Sequence, residues 1–168
     1  MYKRQVEQIA NYSKARRLLN NPFKYSFAIA FKKLIYPFFK KERLVFTRTF
    51  FGGNMQIALP ASTDIYLTGG KSHPSEIRLA KFLIRNLKPM DTFIDIGAHY
   101  GYFSLLANEV MEQKGKIFSF EPSPNTYKLL KHNAALVKNI NAIQQAVSNK
   151  EERIIFYEFP NLYAEYNT

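Results

Sequence analysis

An α/β fold with an open, parallel sheet is predicted for the second half of this chain, and three observations carry that expectation. Residues 93–104, FIDIGAHYGYFS, read as an apolar strand that ends in Asp95 and enters a turn with glycines at 97 and 101. A second apolar run, residues 116–120, ends in Glu121, 26 residues after Asp95. Short apolar runs then alternate with helical segments, the pattern of parallel strands joined by crossover helices.

The elements before that unit follow from local signals. Residues 3–19 are predicted helical, with Val6, Ile9, Ala10, Leu18 and Leu19 as apolar positions, and Asn20-Asn21-Pro22 breaks the run. A second helix is predicted over 23–36, rich in Phe and Tyr and stopped near Pro37. Residues 43–51 and 55–59 flank Gly52-Gly53-Asn54, a hairpin signal. Residues 63–67 are too short to assign. An amphipathic helix follows over 75–87, with Ile77, Ala80, Phe82, Leu83 and Leu87 on its apolar face and Ser75 as its N-cap.

The remaining elements are a strand at 92–97, a helix at 101–113, a strand at 116–121, a helix at 124–137 and a strand at 140–146. One further strand is expected over 151–159. Phe93, Ile94 and Ile96 are apolar on both faces of the first strand, which predicts a buried, central position.

Charge divides the chain differently. Residues 1–48 hold 12 Lys and Arg against 2 Asp and Glu, a net of +10 of the total +11. The remainder is nearly neutral, so the basic segment is expected to present a surface of its own. Its interspersed Phe and Tyr suit a membrane interface, and peripheral membrane contact through residues 1–42 is one expectation. No nucleic-acid motif is present, and nucleic acid is disfavoured as a partner. The longest apolar stretch is five residues, 27–31, against about 20 for a spanning helix. Residues 1–20 carry charge without an apolar core, which argues against a secretory signal. There is no cysteine, which excludes a disulfide scaffold, and His73, His99 and His132 are too dispersed to predict a metal site. A cytoplasmic location is expected, with contact at the inner membrane face.

The glycines discriminate among nucleoside cofactors. Their spacing is G-x-x-x-G, whereas a dinucleotide pyrophosphate needs G-x-G-x-x-G and a phosphate loop needs G-x-x-x-x-G-K-[ST]. A nucleoside cofactor without a pyrophosphate fits better, and S-adenosylmethionine is one. The segments DIGAHYGYFS and FSFEPSPNTYKLLKHN then resemble the FkbM family of class I S-adenosylmethionine-dependent methyltransferases, whose pattern is an apolar pair, D-x-G-A-N-x-G, a Ser or Thr, and later E-P-x-P. The likeness runs from about residue 76 to 157. Upstream, 87–91 resembles the family's lead-in to the first strand, with Met90 where relatives carry Gly.

That resemblance implies a Rossmann-like domain and a set of cofactor contacts. Asp95 would order the turn and the methionine end of the cofactor. Gly97, Ala98, His99 and Gly101 would lie against it, with His99 where the family has Asn. Glu121, followed by Pro122, would accept the ribose hydroxyls, and Ala146 and Val147 would touch the adenine. O-methylation of a hydroxyl on a sugar, or on a lipid- or polyketide-linked metabolite, is the implied reaction; no catalytic base is identified. The family's later D-x-E-G motif does not occur. The chain therefore reads as a C-terminally truncated first half of the sheet, whose unpaired edge invites homo-oligomerisation or aggregation. The expected organisation is a basic helical extension (1–42), a hairpin and lead-in helix (43–90), and half of the cofactor domain (91–168). The alternative from another class is a non-catalytic remnant whose basic arm binds a membrane surface or a partner.

Overall fold

A computed structural model describes residues 2–153. The chain divides into two units, Met1–Arg85 and Asn86–Thr168.

In the first unit the predicted helix over 3–19 is two helices, α1 (Tyr2–Ala10) and α2 (Lys14–Asn20). Ser13 separates them, because its hydroxyl accepts the Arg16 N–H at 3.2 Å and caps α2. Val6 and Ile9 are buried as expected, whereas Leu18 and Leu19 face outward. Helix α3 (Pro22–Ala30) starts at Asn21, whose side chain accepts the Lys24 N–H. It continues through a π turn, Phe31–Ile35, into α4 (Tyr36–Phe39). Pro37 thus does not stop the helix as predicted. It sits in the first turn of α4, where a missing N–H costs nothing, and the Tyr36 N–H reaches five residues back to the Phe31 carbonyl.

Strands β1 (Arg43–Arg48) and β2 (Asn54–Leu59) form the expected antiparallel hairpin, in register from Arg43 opposite Leu59 to Arg48 opposite Asn54. Residues 49–51, predicted as strand, belong to the turn, where the Thr49 N–H and hydroxyl both donate to the Gly53 carbonyl at 2.8 Å. A short helix, α5 (Thr63–Thr68), follows. Helix α6 (Pro74–Asn86) begins one residue earlier than expected, so Ser75 lies inside the first turn rather than capping it. Ile77, Ala80 and Leu83 are buried, but Phe82 is exposed.

The second unit carries three parallel strands, β3 (Thr92–Ile96), β4 (Lys116–Phe120) and β5 (Ile140–Ile143), in the order β3-β4-β5. Helix α7 (Tyr102–Val110) joins the first pair and α8 (Pro124–Ala134) the second. This is a Rossmann-like, parallel α/β arrangement, with each element slightly shorter than its apolar run. Phe93, Ile117 and Ile140 stand in one cross-strand row, and Ala107 of α7 and Met111 at its C-cap pack on it together with Leu87. Met111 and Ile117 are fully buried, which stabilises the unit by about 1.5–3 kcal/mol each.

Strand β3 does not have the two covered faces that its sequence predicts. Phe93 and Asp95 are half-buried, while Ile94 and Ile96 are 57% and 64% exposed. Among the described residues β3 is an edge strand, so only the side bearing α7 is covered. Residues 151–153 are not strand, and the rest of the strand expected over 151–159 lies outside the described residues. Among the described residues, no helix is long and apolar enough to cross a membrane.

Candidate functional site

The tips of β3 and β4 are joined by backbone hydrogen bonds. The Gly97 and Ala98 N–H groups both donate to the Phe120 carbonyl at 2.9 Å. One residue on, the Glu121 carboxylate spans the two turns. Its Oε2 accepts the His99 N–H at 2.9 Å and its Oε1 accepts the Ser123 N–H at 3.0 Å. The Glu121 N–H in turn donates to the Ile143 carbonyl at the end of β5. Glu121 is only 7% exposed, and a charge so covered is kept in place by these charge-assisted bonds.

The β3–α7 turn uses left-handed backbone at three positions, Gly97 (φ 75°), His99 (φ 52°) and Gly101 (φ 84°). The two glycines are needed for different reasons. A Cβ on Gly97 would meet nothing within 4 Å, so the backbone there borders open space. A Cβ on Gly101 would lie 2.9 Å from Leu130 Cδ1 of α8, so that glycine serves helix packing. His99 occupies a conformation that Asn, Asp and His adopt more readily than other side chains. The His-for-Asn departure is therefore a backbone-compatible one. Asn133 of α8 braces the turn, its Nδ2 donating to the Tyr100 carbonyl at 2.8 Å.

Asp95 points to the helix side of the sheet. The Ser104 hydroxyl, from the first turn of α7, donates to Asp95 Oδ2 at 2.5 Å and sits 2.7 Å from the Ser119 hydroxyl of β4. Burial pushes the Asp95 carboxyl above its ordinary value, and the Ser104 bond partly offsets that. Helix α8 is capped by Ser123, whose hydroxyl accepts the Thr126 N–H.

Seven of the nine sequence-predicted residues thus meet at the two turns: Asp95, Gly97, Ala98, His99, Gly101, Glu121 and Pro122. Ala146 and Val147 follow β5 and are exposed. They line a cleft of about 810 Å³ with Ile94, Ile96 and Phe120, on the uncovered side of β3, and the seven are not among its lining residues. Sequence reasoning missed Ser119, Ser123 and Asn133 as supports. Ser119 could have been found as the polar residue among the apolar ones of residues 117–120, and Ser123 as a cap two residues after Glu121. Asn133 had no local signal, because its partner is 33 residues away.

This site, a pair of glycine and acid turns at the strand tips of a parallel sheet, belongs to a Rossmann-like α/β unit. Comparison with known proteins adds a family match over part of the chain. Residues 95–166 match the family model of the methyltransferase FkbM domain, the same family that the two motifs resemble. The methyltransferase sdnD of Sordaria araneosa is 35% identical over 82 residues, covering 47% of this chain and 31% of that protein. The chain thus spans about a third of the length of this curated relative. Among solved structures, Pyrococcus horikoshii TYW2 in complex with MeSAdo is similar at 17% identity and a TM-score of 0.47, covering 63% of this chain and 37% of that one. A putative protein-L-isoaspartate O-methyltransferase from Plasmodium falciparum, in complex with S-adenosyl-L-homocysteine, is similar at 16% identity and a TM-score of 0.39, covering 85% and 62%.

Proposed function

We propose that this chain forms the cofactor half-site of an S-adenosylmethionine-dependent O-methyltransferase acting on a hydroxyl of a sugar or of a lipid- or polyketide-linked metabolite. The observation that carries the reading is the Glu121 bridge. A carboxylate at the tip of β4 is fixed by the N–H groups of His99 and Ser123, beside the open backbone of Gly97. The residues fit the cofactor, since Gly97 leaves room for close approach and Glu121 sets a carboxylate, the group that accepts from a ribose diol, at the strand tip. The FkbM family match and the named methyltransferase relative support the same reading.

In this reading Glu121 binds and orients the ribose, and its fixed position lowers the entropy cost of holding the cofactor. Asp95, anchored by Ser104, sets the path of the turn. Gly97 and Ala98, tied to the Phe120 carbonyl, keep the turn against the sheet. Bound S-adenosylmethionine would supply a sulfonium-borne methyl group, which exchanges a carbon–sulfur bond for a carbon–oxygen bond as the acceptor hydroxyl loses its proton.

Calorimetric titration of S-adenosylmethionine into the full chain tests the reading, with Glu121→Gln as the control. Binding is expected for the wild type and a loss of at least tenfold in the variant, because a Gln amide offers one acceptor oxygen in place of two. A folded wild-type chain that takes up no cofactor at millimolar concentration overturns the reading. Transfer of label from methyl-labelled cofactor into sugar or polyketide hydroxyls then tests the acceptor class.

A further inference from the structure

The basic segment has an outer surface that the cofactor site does not use. The π turn sets its orientation. In a π turn residues five apart align, and Phe31 and Tyr36 are both buried, as is Ala28 before them. With Phe31 and Tyr36 turned inward, Leu34, Ile35, Phe38 and Phe39 are left on the outside. Leu34 and Phe38 are four apart, as are Ile35 and Phe39, so the four side chains adjoin on one helix surface. Their exposures are 64%, 41%, 81% and 69%. Lys32 and Lys33 precede this patch, and Lys40 and Lys41 follow it.

The same unit exposes further apolar side chains on neighbouring elements. Strand β1 starts four residues after α4, and its outer row is Leu44, Phe46 and Arg48, all exposed. Before α3, Leu19 is 80% and Phe23 is 88% exposed. Among the described residues no acidic side chain pairs with Lys32, Lys33 or Lys41; the described ion pair of this region is Glu7 with Lys81. So many exposed large apolar side chains within one segment mark an interaction site, and the uncompensated charge specifies the sign of its partner.

We propose that residues 19–48 form an interfacial docking surface for a bilayer that carries anionic lipid. Phe23, Leu34, Phe38 and Phe39 enter the headgroup–acyl boundary, and the flanking lysines meet the lipid phosphates. Charge complementarity identifies the occupant: residues 19–48 hold seven Lys and Arg against one Glu, a net of +6 that demands an anionic surface, and the apolar tips demand one with a hydrocarbon interior. Among the described residues no helix is long and apolar enough to cross a membrane, and the proposed contact is interfacial. This surface does not depend on the cofactor reading.

The test is sedimentation of the full chain with vesicles of phosphatidylcholine and phosphatidylglycerol at 7:3, and with pure phosphatidylcholine. The expected result is partitioning at least tenfold stronger to the anionic vesicles, weakened by added salt. Phe38→Ser/Phe39→Ser and Lys32→Glu/Lys33→Glu should each lower it at least tenfold, and all four positions are exposed enough for the fold to survive. The chain has no tryptophan, so Phe38→Trp supplies a single reporter, expected to shift to the blue and to be quenched by brominated lipid. A folded chain that ignores anionic vesicles overturns the proposal. So does a lysine-dependent association that the phenylalanine variant retains and that an RNA oligonucleotide competes away, which would assign the surface to nucleic acid.

Discussion

Gly97 and Gly101 sit four residues apart in one turn, both in left-handed backbone, and their substitution by alanine should separate cofactor binding from stability. A Cβ in the left-handed region costs about 1–2 kcal/mol. Gly97→Ala incurs that cost alone, because the new methyl meets nothing within 4 Å. Gly101→Ala adds a contact of 2.9 Å with Leu130 Cδ1, well inside the ~3.5–4.0 Å of an ordinary carbon pair. Leu130 is fully buried, so its methyl has little room to yield, and overpacking of this kind costs about 1–3 kcal/mol more. The expected losses are then about 1–2 kcal/mol for Gly97→Ala and about 2–5 kcal/mol for Gly101→Ala. Native-state amide exchange reads them locally. The Leu105 N–H, bonded to the Gly101 carbonyl, and the Met111 N–H, bonded to Ala107, should lose protection by roughly tenfold per 1.4 kcal/mol. Calorimetry should show the opposite ranking for S-adenosylmethionine, with Gly97→Ala weakening binding at least tenfold because its methyl fills the space that the cofactor needs. Equal destabilisation by the two substitutions would refute the packing argument. Undiminished binding by Gly97→Ala would refute the assignment of the open space to the cofactor.

Three other outcomes follow from the same geometry. Met90 is 74% exposed with φ 73°, so Met90→Gly should raise the urea midpoint, by about 1 kcal/mol in stability; a lower midpoint would contradict the strain. Burial holds the Asp95 pKa above the ordinary 3.8, so the folded state binds that proton more tightly than the unfolded chain. Its contribution to stability is complete below pH 3.8 and is lost as pH rises through the raised value, so Asp95→Asn should gain stability relative to wild type across that window. A pH-independent difference in urea titrations would oppose this sign. In the first unit, Asp64 accepts the Ile65 and Ser72 N–H groups at 2.8 and 3.0 Å, so Asp64→Ala should cost about 2 kcal/mol and speed exchange at Ser72. Unchanged protection there would show that the loop is held by other means.

Much of the cofactor unit was legible in the sequence because its signals are local. The alternation of apolar runs fixed three strands and two helices within a few residues, and the acids at the strand ends marked both turns before any contact was known. What was not legible depended on partners far along the chain. Asn133 braces a turn 33 residues away, and Leu130 gives Gly101 its packing role. In the first unit a proline predicted a stop that a π turn circumvents, since the sequence does not advertise a change from four-residue to five-residue hydrogen bonding. Leu18, Leu19 and Phe82 take apolar positions of their helices by spacing yet are exposed, because exposure is set by what lies opposite.

By itself, then, the sequence determined the α/β class, the two turns and their acids, because strand period, glycine conformational freedom and the cost of burying an unsatisfied acid all act within a few residues. Only the tertiary structure decided that Glu121 holds the two turns together through the His99 and Ser123 N–H groups, that β3 leaves Ile94 and Ile96 uncovered among the described residues, and that Phe38 and Phe39 face outward. Those outcomes rest on which segments meet across the chain, and burial is a property of the meeting rather than of the residue.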